Sequence, residues 1–180
     1  MVNINKAVFL DRDGVIVKAN VRNGKAYAPT KIKDFKIYKF SADCIYKLKK
    51  KGFKTIVVTN QPDVGNNIIS KNTLKKMHIA LKKKTKVNQI YTCVHTSKEK
   101  CKCRKPLPGM LIKAGKQHKI NFKKSYMVGD RLVDIKCGKK VGCKTIFINR
   151  NYKEKKPSTK IQSVKNLKEA TDSILNDLDK

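Results

Sequence analysis

Two carboxylates, Asp11 and Asp13, stand one residue apart. They directly follow the apolar run Ala7-Val8-Phe9-Leu10 and precede Gly14. Four apolar residues in a row predict a short buried strand. Gly14 predicts a bend just past the strand end, where backbone N–H groups become free. Two acids at the tip of a buried strand are costly unless a cation or a reaction uses them. A surface turn rich in Asp and Gly is the plainer reading of Asp-x-Asp-Gly taken alone. What separates the two readings lies further along the chain.

Three more signals fall at the ends of predicted elements. Thr59-Asn60-Gln61 closes the apolar run that starts at Phe53; Arg104-Lys105-Pro106 comes just before a helix. Gly129-Asp130-Arg131 closes a fourth strand, with Asp134 four residues on. The set suits hydrolysis of phosphate monoesters, a reaction whose catalysed enhancement reaches about 10²¹-fold. A carboxylate nucleophile divides it through an aspartyl-phosphate. Asp11 and Asp130 are hard oxygen ligands suited to Mg²⁺. Lys105 adds a point charge and Thr59 a hydroxyl donor toward the phosphoryl oxygens. Asp13, the second acid, protonates the leaving oxygen and later takes a proton from water. Asp134 is either a support for these ligands or simply a helix charge.

The elements that must place these residues alternate strand and helix. Strands are expected at 7–10, 53–59, 89–93, 125–129 and 145–148. Helices are expected at 41–51, capped by Ser41 and ended by Gly52; after a Ser70 cap; at 108–118; at 132–141; and at about 167–178. Residues 18–39 read as irregular, and the Lys-rich segment of about 151–163 as a mobile connection. This alternation predicts one α/β domain over 1–180, a three-layer Rossmann-like fold with a central parallel sheet and helices on both faces. Ligands of such sheets bind beyond the carboxyl ends of the strands, where all four signals lie.

Composition narrows the partners. Lys and Arg number 44 against 13 Asp and Glu, for a net charge of +31. Most of the excess is Lys, spread along the chain, and Lys, Asn and Ile share A/T-rich codons. The charge is therefore read as a solvated surface, and a nucleic-acid partner is not expected. Arginine is confined to Arg12, Arg22, Arg104, Arg131 and Arg150. A site that keeps Arg in so Lys-rich a chain needs the flat fork for phosphate or carboxylate. No apolar run nears the roughly 20 residues of a membrane span, and the N-terminus lacks the shape of a signal peptide. A cytoplasmic monomer acting on a small phosphorylated metabolite is expected. Of six cysteines, Cys44, Cys137 and Cys143 sit at apolar or helical positions and read as buried thiols, while Cys93, Cys101 and Cys103 lie close together.

In order along the chain, these motifs resemble the haloacid dehalogenase superfamily of phosphatases. Asp-Arg-Asp-Gly, Val-Thr-Asn-Gln, Cys-Arg-Lys-Pro-x-Pro-Gly-Met and Met-Val-Gly-Asp-Arg are similar to its branch of heptose-bisphosphate and histidinol-phosphate phosphatases. The resemblance implies Asp11 as nucleophile and Asp13 as general acid/base. It implies Thr59 and Lys105 as phosphoryl stabilisers. Asp11, Asp130 and the Asp13 backbone carbonyl would hold Mg²⁺. Asn60, Gln61, Arg104 and Arg131 would contact substrate. The branch lacks a cap domain and carries a structural zinc, for which Cys93, His95, Cys101 and Cys103 would be the ligands here. The loop between the two ligand pairs is shorter than in many members. A heptose bisphosphate is the expected substrate, with histidinol phosphate and then a polynucleotide 3′-phosphate as alternatives. Pro62-Asp63-Val64-Gly65-Asn66-Asn67 departs from the Ser-Gly-x-Ala-Arg-Gly often found there in the heptose enzymes. His78 and His118 are read as surface or packing residues.

Overall fold

Strand β1 (Lys6–Leu10) is buried on both faces, and its alternation divides the core. Val8 and Leu10 enter one apolar cluster, Ala7 and Phe9 the other. The computed structural model describes residues 4–178. After β1 come a hairpin of β2 (Asn20–Arg22) and β3 (Lys25–Tyr27), helix α1 (Ser41–Lys50), strand β4 (Phe53–Asn60) and a single turn α2 (Pro62–Gly65). Helix α3 (Lys71–Thr85), strand β5 (Gln89–Cys93), helix α4 (Gly109–His118) and strand β6 (Tyr126–Gly129) follow. The chain continues through α5 (Leu132–Lys140), β7 (Lys144–Ile148), β8 (Ser163–Val164) and α6 (Leu167–Asn176).

Six strands form one parallel sheet in the order β5-β4-β1-β6-β7-β8. The chain leaves β1 toward β4 and β5, then returns to β6 on the other side. The strand order therefore switches direction beside β1, the position at which open α/β sheets form a crevice. Helices α1, α3 and α6 pack on the Leu10 face, with Ile45, Leu48, Leu81, Leu167 and Ile174 buried there. Helices α4 and α5 cover the Phe9 face through Met110, Leu111, Ala114 and Cys137. This is the predicted three-layer architecture, and among the described residues no helix is long and apolar enough to cross a membrane.

Two local expectations are corrected. Ser41 does not cap α1: it is buried inside the first turn and its Oγ donates to the Ile16 carbonyl (3.0 Å), which ties the helix to the loop after β1. Residues 18–39 are not wholly irregular. Asn23 and Gly24, both at positive φ, turn the β2–β3 hairpin, the pairing that a two-residue turn of this type favours. The segment of about 151–163 meets that hairpin at two points: Lys153 N–H donates to the Gly24 carbonyl (2.7 Å), and Ala26 N–H donates to Glu154 Oε1 (3.0 Å). Its lysines Lys153, Lys155, Lys156 and Lys160 are exposed. It also ends in β8, which pairs with β7.

Candidate active site

Asp11 leaves β1 between the ends of β4 and β6, and its N–H continues the ladder to the Val128 carbonyl (3.0 Å). The backbone then folds on itself, with Gly14 N–H donating to the Val17 carbonyl (2.7 Å). Gly14 sits at φ +80°, and a Cβ there would lie 1.7 Å from Asp130 Oδ2. The glycine thus serves both as the bend and as clearance for the Asp130 carboxylate. Asp11, Asp13, Asn60, Lys105, Asp130 and Arg131 line one cavity of about 270 Å³, together with Ala26 and Tyr27 of the hairpin.

Asp11, Asp130 and Asp134 each offer an oxygen within 4.8 Å of the others, and all three are buried. Asp130 is 3% exposed; the Tyr152 hydroxyl leans on its carboxylate, and no cationic side chain among the described residues is paired with it. Burial, then the charges of Asp11 and Asp134, push its carboxyl well above the usual range. A buried carboxylate facing two others is what a divalent cation relieves, so the donor set fits Mg²⁺.

Lys105 is buried under the same acids. Its Nζ meets Asp134 Oδ1 (2.6 Å) and Asp11 Oδ1 (2.8 Å) and donates to the Val58 carbonyl (2.8 Å). Burial alone would lower its pKa; the two carboxylates reverse this and hold it above that of an ordinary lysine. Asp134 is therefore not a solvated helix charge. Its other oxygen accepts from Arg131 N–H (3.0 Å) at the start of α5. Burial raises its carboxyl to about 6 against the opposing pull of Lys105. Gly129 makes room for it, since a Cβ there would lie 2.2 Å from Asp134 Cβ.

Asp13 is held by a second network that the sequence reading missed. Arg12, fully buried, lays its guanidinium along Asp13: Nε lies 3.1 Å from both carboxylate oxygens and Nη2 lies 3.0 Å from Oδ2. Gln61 Nε2 donates to Asp13 Oδ2 (2.7 Å) and to Thr59 Oγ1 (2.8 Å), while its Oε1 accepts from Arg12 Nη2 (2.9 Å). Arg12 Nη1 points at His78 Nε2 (3.1 Å). Guanidinium only donates, so Nε2 is the acceptor and the ring is neutral. Burial, and then Arg12, lower His78 to about 4. The signal available in the sequence was Arg12 itself, an arginine kept between two acids.

The residues expected to touch substrate divide. Asn60 lines the cavity, but its amide clamps the Lys105 backbone through Nδ2 to the carbonyl (3.1 Å) and Oδ1 from the N–H (3.0 Å). Gln61 is fully buried, and both polar atoms of its side chain are bound to protein. Arg104 turns away from the cavity, with Nη1 donating to the His95 carbonyl (3.3 Å). Arg131 reaches the cavity rim, where Glu154 takes a bidentate pair from it at 2.7 and 2.9 Å. Thr59, 1% exposed, accepts from Gln61 and so keeps its own proton to donate.

Cys93, His95, Cys101 and Cys103 gather at the end of β5. The sulfur pairs Cys93–Cys101 and Cys103–Cys101 are 3.7 and 3.6 Å apart, and His95 Nδ1 lies 3.5 Å from Cys93 and 3.2 Å from Cys103. A zinc tetrahedron with Zn–S of about 2.3 Å and Zn–N of about 2.0–2.1 Å has edges of roughly 3.6–3.8 Å. The four donors fit that shape, and none of the cysteines is in a disulfide. The cluster lies two residues before Lys105, on the loop that carries the ammonium.

Comparison with known proteins agrees with this geometry. A family model described as HAD-hydrolase-like matches residues 102–180. The D-glycero-beta-D-manno-heptose-1,7-bisphosphate 7-phosphatase of Helicobacter pylori strain J99 is 32% identical, over 97% of this chain and 99% of its own. The D-glycero-alpha-D-manno-heptose-1,7-bisphosphate 7-phosphatase of Campylobacter jejuni is also 32% identical, over 91% and 92%. The crystal structure of the D,D-heptose 1,7-bisphosphate phosphatase of B. bronchiseptica, complexed with magnesium and phosphate, superposes with a TM-score of 0.81. It is 22% identical, over 96% of this chain and 99% of that one. The chain accordingly belongs to the haloacid dehalogenase-like phosphatases, within the family of the heptose-1,7-bisphosphate 7-phosphatases.

Proposed function

We propose that this chain removes the 7-phosphate of D-glycero-D-manno-heptose 1,7-bisphosphate in a Mg²⁺-dependent, two-step reaction through Asp11. The observation that carries the reading is the convergence of Asp11, Asp13, Lys105 and the buried Asp130 on one cavity. The full-length relatives named for this substrate support the choice of sugar. Magnesium, held by Asp11, Asp130 and the Asp13 backbone carbonyl, would supply the positive charge that offsets repulsion between carboxylate and phosphoryl group.

Asp11 is the nucleophile: one carboxylate oxygen attacks phosphorus as the bond to the sugar oxygen breaks. Asp13 gives its proton to that leaving oxygen. Lys105 Nζ, held 2.8 Å from Asp11 Oδ1, keeps the nucleophile oriented and its charge balanced. The Thr59 hydroxyl donates to a phosphoryl oxygen. In the second step Asp13 takes a proton from water, the water oxygen attacks the aspartyl-phosphate, and Asp11 is regenerated with release of phosphate. Zinc on Cys93, His95, Cys101 and Cys103 would hold the Lys105 loop and take no part in the chemistry.

A panel of phosphorylated compounds with Mg²⁺ tests this reading. It should contain both heptose 1,7-bisphosphate anomers, histidinol phosphate and a 3′-phosphorylated oligonucleotide. Turnover of a heptose bisphosphate, abolished by EDTA and by Asp11→Asn, is expected. Turnover of the oligonucleotide alone, or full activity in Asp11→Asn, refutes it.

A further inference from the structure

The Asp13 carboxylate is not held symmetrically. Oδ2 faces three donors: Gln61 Nε2 at 2.7 Å, Arg12 Nη2 at 3.0 Å and Arg12 Nε at 3.1 Å. Among the described residues Oδ1 faces only Arg12 Nε, at 3.1 Å, and that N–H is shared with Oδ2. A carboxylate oxygen offers about two lone-pair sites, so Oδ2 is saturated while Oδ1 keeps an open one. The side chain is 14% exposed and borders the cavity, whereas that of Arg12 is wholly enclosed.

The donors are themselves fixed. Gln61 can be read in only one orientation, because a flipped amide would turn its oxygen toward Asp13 and its NH₂ toward Arg12. The Arg12 guanidinium lies over the Phe35 ring (5.3 Å to the centroid) and ends on His78 of α3. A buried guanidinium is expensive and persists only with every face partnered. Lysine has neither the fork nor the plane to meet Asp13, Gln61, His78 and Phe35 together. This explains why an otherwise Lys-rich chain has arginine here.

We infer that Arg12 and Gln61 are positioning residues for Asp13, tying down Oδ2 so that Oδ1 is the oxygen that passes the proton to and from the reacting centre, with His78 bracing Arg12 from behind. This rests on the proposed role of Asp13. The step it serves is the one already balanced: the Asp13 proton moves to the leaving sugar oxygen as the P–O bond breaks, and a water proton returns to Asp13.

Leaving-group dependence separates positioning from mere structural support. A primary alkyl phosphate, such as the 7-phosphate of the heptose bisphosphate, needs its leaving oxygen protonated, while p-nitrophenyl phosphate has a stable leaving anion. The readout is kcat/KM for the alkyl phosphate divided by kcat/KM for p-nitrophenyl phosphate. It is measured in the Mg²⁺-loaded full chain for wild type, Asp13→Asn, Arg12→Lys, Gln61→Met and His78→Phe. General acid catalysis is typically worth about 10²–10⁴-fold, so Asp13→Asn should lower the ratio by at least about 100-fold. Arg12→Lys and Gln61→Met should each lower it by about 10-fold or more, and His78→Phe by a few-fold. Equal losses on both substrates, or an unchanged ratio in the folded variants, overturn the inference. If Arg12→Lys does not fold, Gln61→Met and the partly exposed His78→Phe decide by the same ratio. An unchanged ratio in Asp13→Asn instead refutes the role of Asp13, and a changed ratio there alone refutes only the positioning.

Discussion

Replacing Asp130 by Asn should strengthen the metal-free fold while removing its response to magnesium. The carboxylate is buried with only the Tyr152 hydroxyl against it among the described residues and no cation paired with it, and oxygens of Asp11 and Asp134 lie within 4.8 Å. At an effective dielectric of about 20, one unit charge at that distance repels it by about 3 kcal/mol. Lys105 pairs with both neighbouring acids, so close to one uncompensated negative charge faces Asp130. The amide relieves about 3 kcal/mol of repulsion and loses about 1 kcal/mol to imperfect hydrogen bonding, for a net gain of about 2 kcal/mol. For a chain of this size that raises Tm by about 4–8 °C. Saturating Mg²⁺ at about 100 times Kd should stabilise wild type by about 2.7 kcal/mol, or about 5–11 °C, and leave the variant unmoved. Thermal melts in EDTA and in Mg²⁺, with turnover measured alongside, are the assay. An Asp130→Asn protein that melts below wild type in EDTA, or that keeps the magnesium shift, refutes the assignment of Asp130 as a metal ligand under charge strain.

Two further outcomes follow from the geometry. The cluster of Cys93, His95, Cys101 and Cys103 should carry about one zinc per chain in protein purified without chelator; Cys101→Ser with Cys103→Ser should abolish it and lower kcat by loosening Lys105. A zinc-free wild type, or a double variant with full zinc, is the contrary result. His78, held at about 4 against an ordinary 6.5, is neutral where the unfolded chain has begun to take up a proton. Its contribution is therefore complete above pH 6.5 and is lost as pH falls from there toward 4, by at most about 3 kcal/mol. Denaturant unfolding of His78→Gln against wild type across pH 4–7 should show the variant gaining relative stability toward acid, and parallel curves would exclude this.

Much of the site was legible because it is local. Asp11, Thr59 and Asp130 each end or follow an apolar run, so the strand that places the residue also announces it. The cysteine cluster is similarly compact in sequence. What escaped was contact between distant elements. Gln61 follows Thr59 and reads as pocket lining, yet it lies under Asp13 because Arg12, across the sheet, offers its Oε1 a donor. His78 is 66 residues from Arg12 and sits among lysines that read as a solvated face. Asp134 looked ambiguous, since only the fold brings Lys105 to it. The Asn23-Gly24 turn was a readable hairpin signal, hidden in a stretch whose other residues lack strand character.

Three of the five arginines join these cases. Their rarity implied sites needing a planar fork for carboxylate or phosphate. In the structure Arg12 spends its fork on Asp13 and Arg131 spends its own on Glu154. Arg150 lies over the Tyr38 ring and donates to the Gly14 carbonyl (2.8 Å), beside the bend that clears Asp130. Each therefore fixes the second half of something the strands begin. Strand ends bring the acids to one crevice to within the tolerance of a backbone, and a carboxylate that must present one chosen oxygen needs more than that. A fork with two fixed N–H directions supplies the missing angle, and a flexible ammonium does not. Composition drift can convert surface arginine to lysine at little cost, but it stops where orientation is the function.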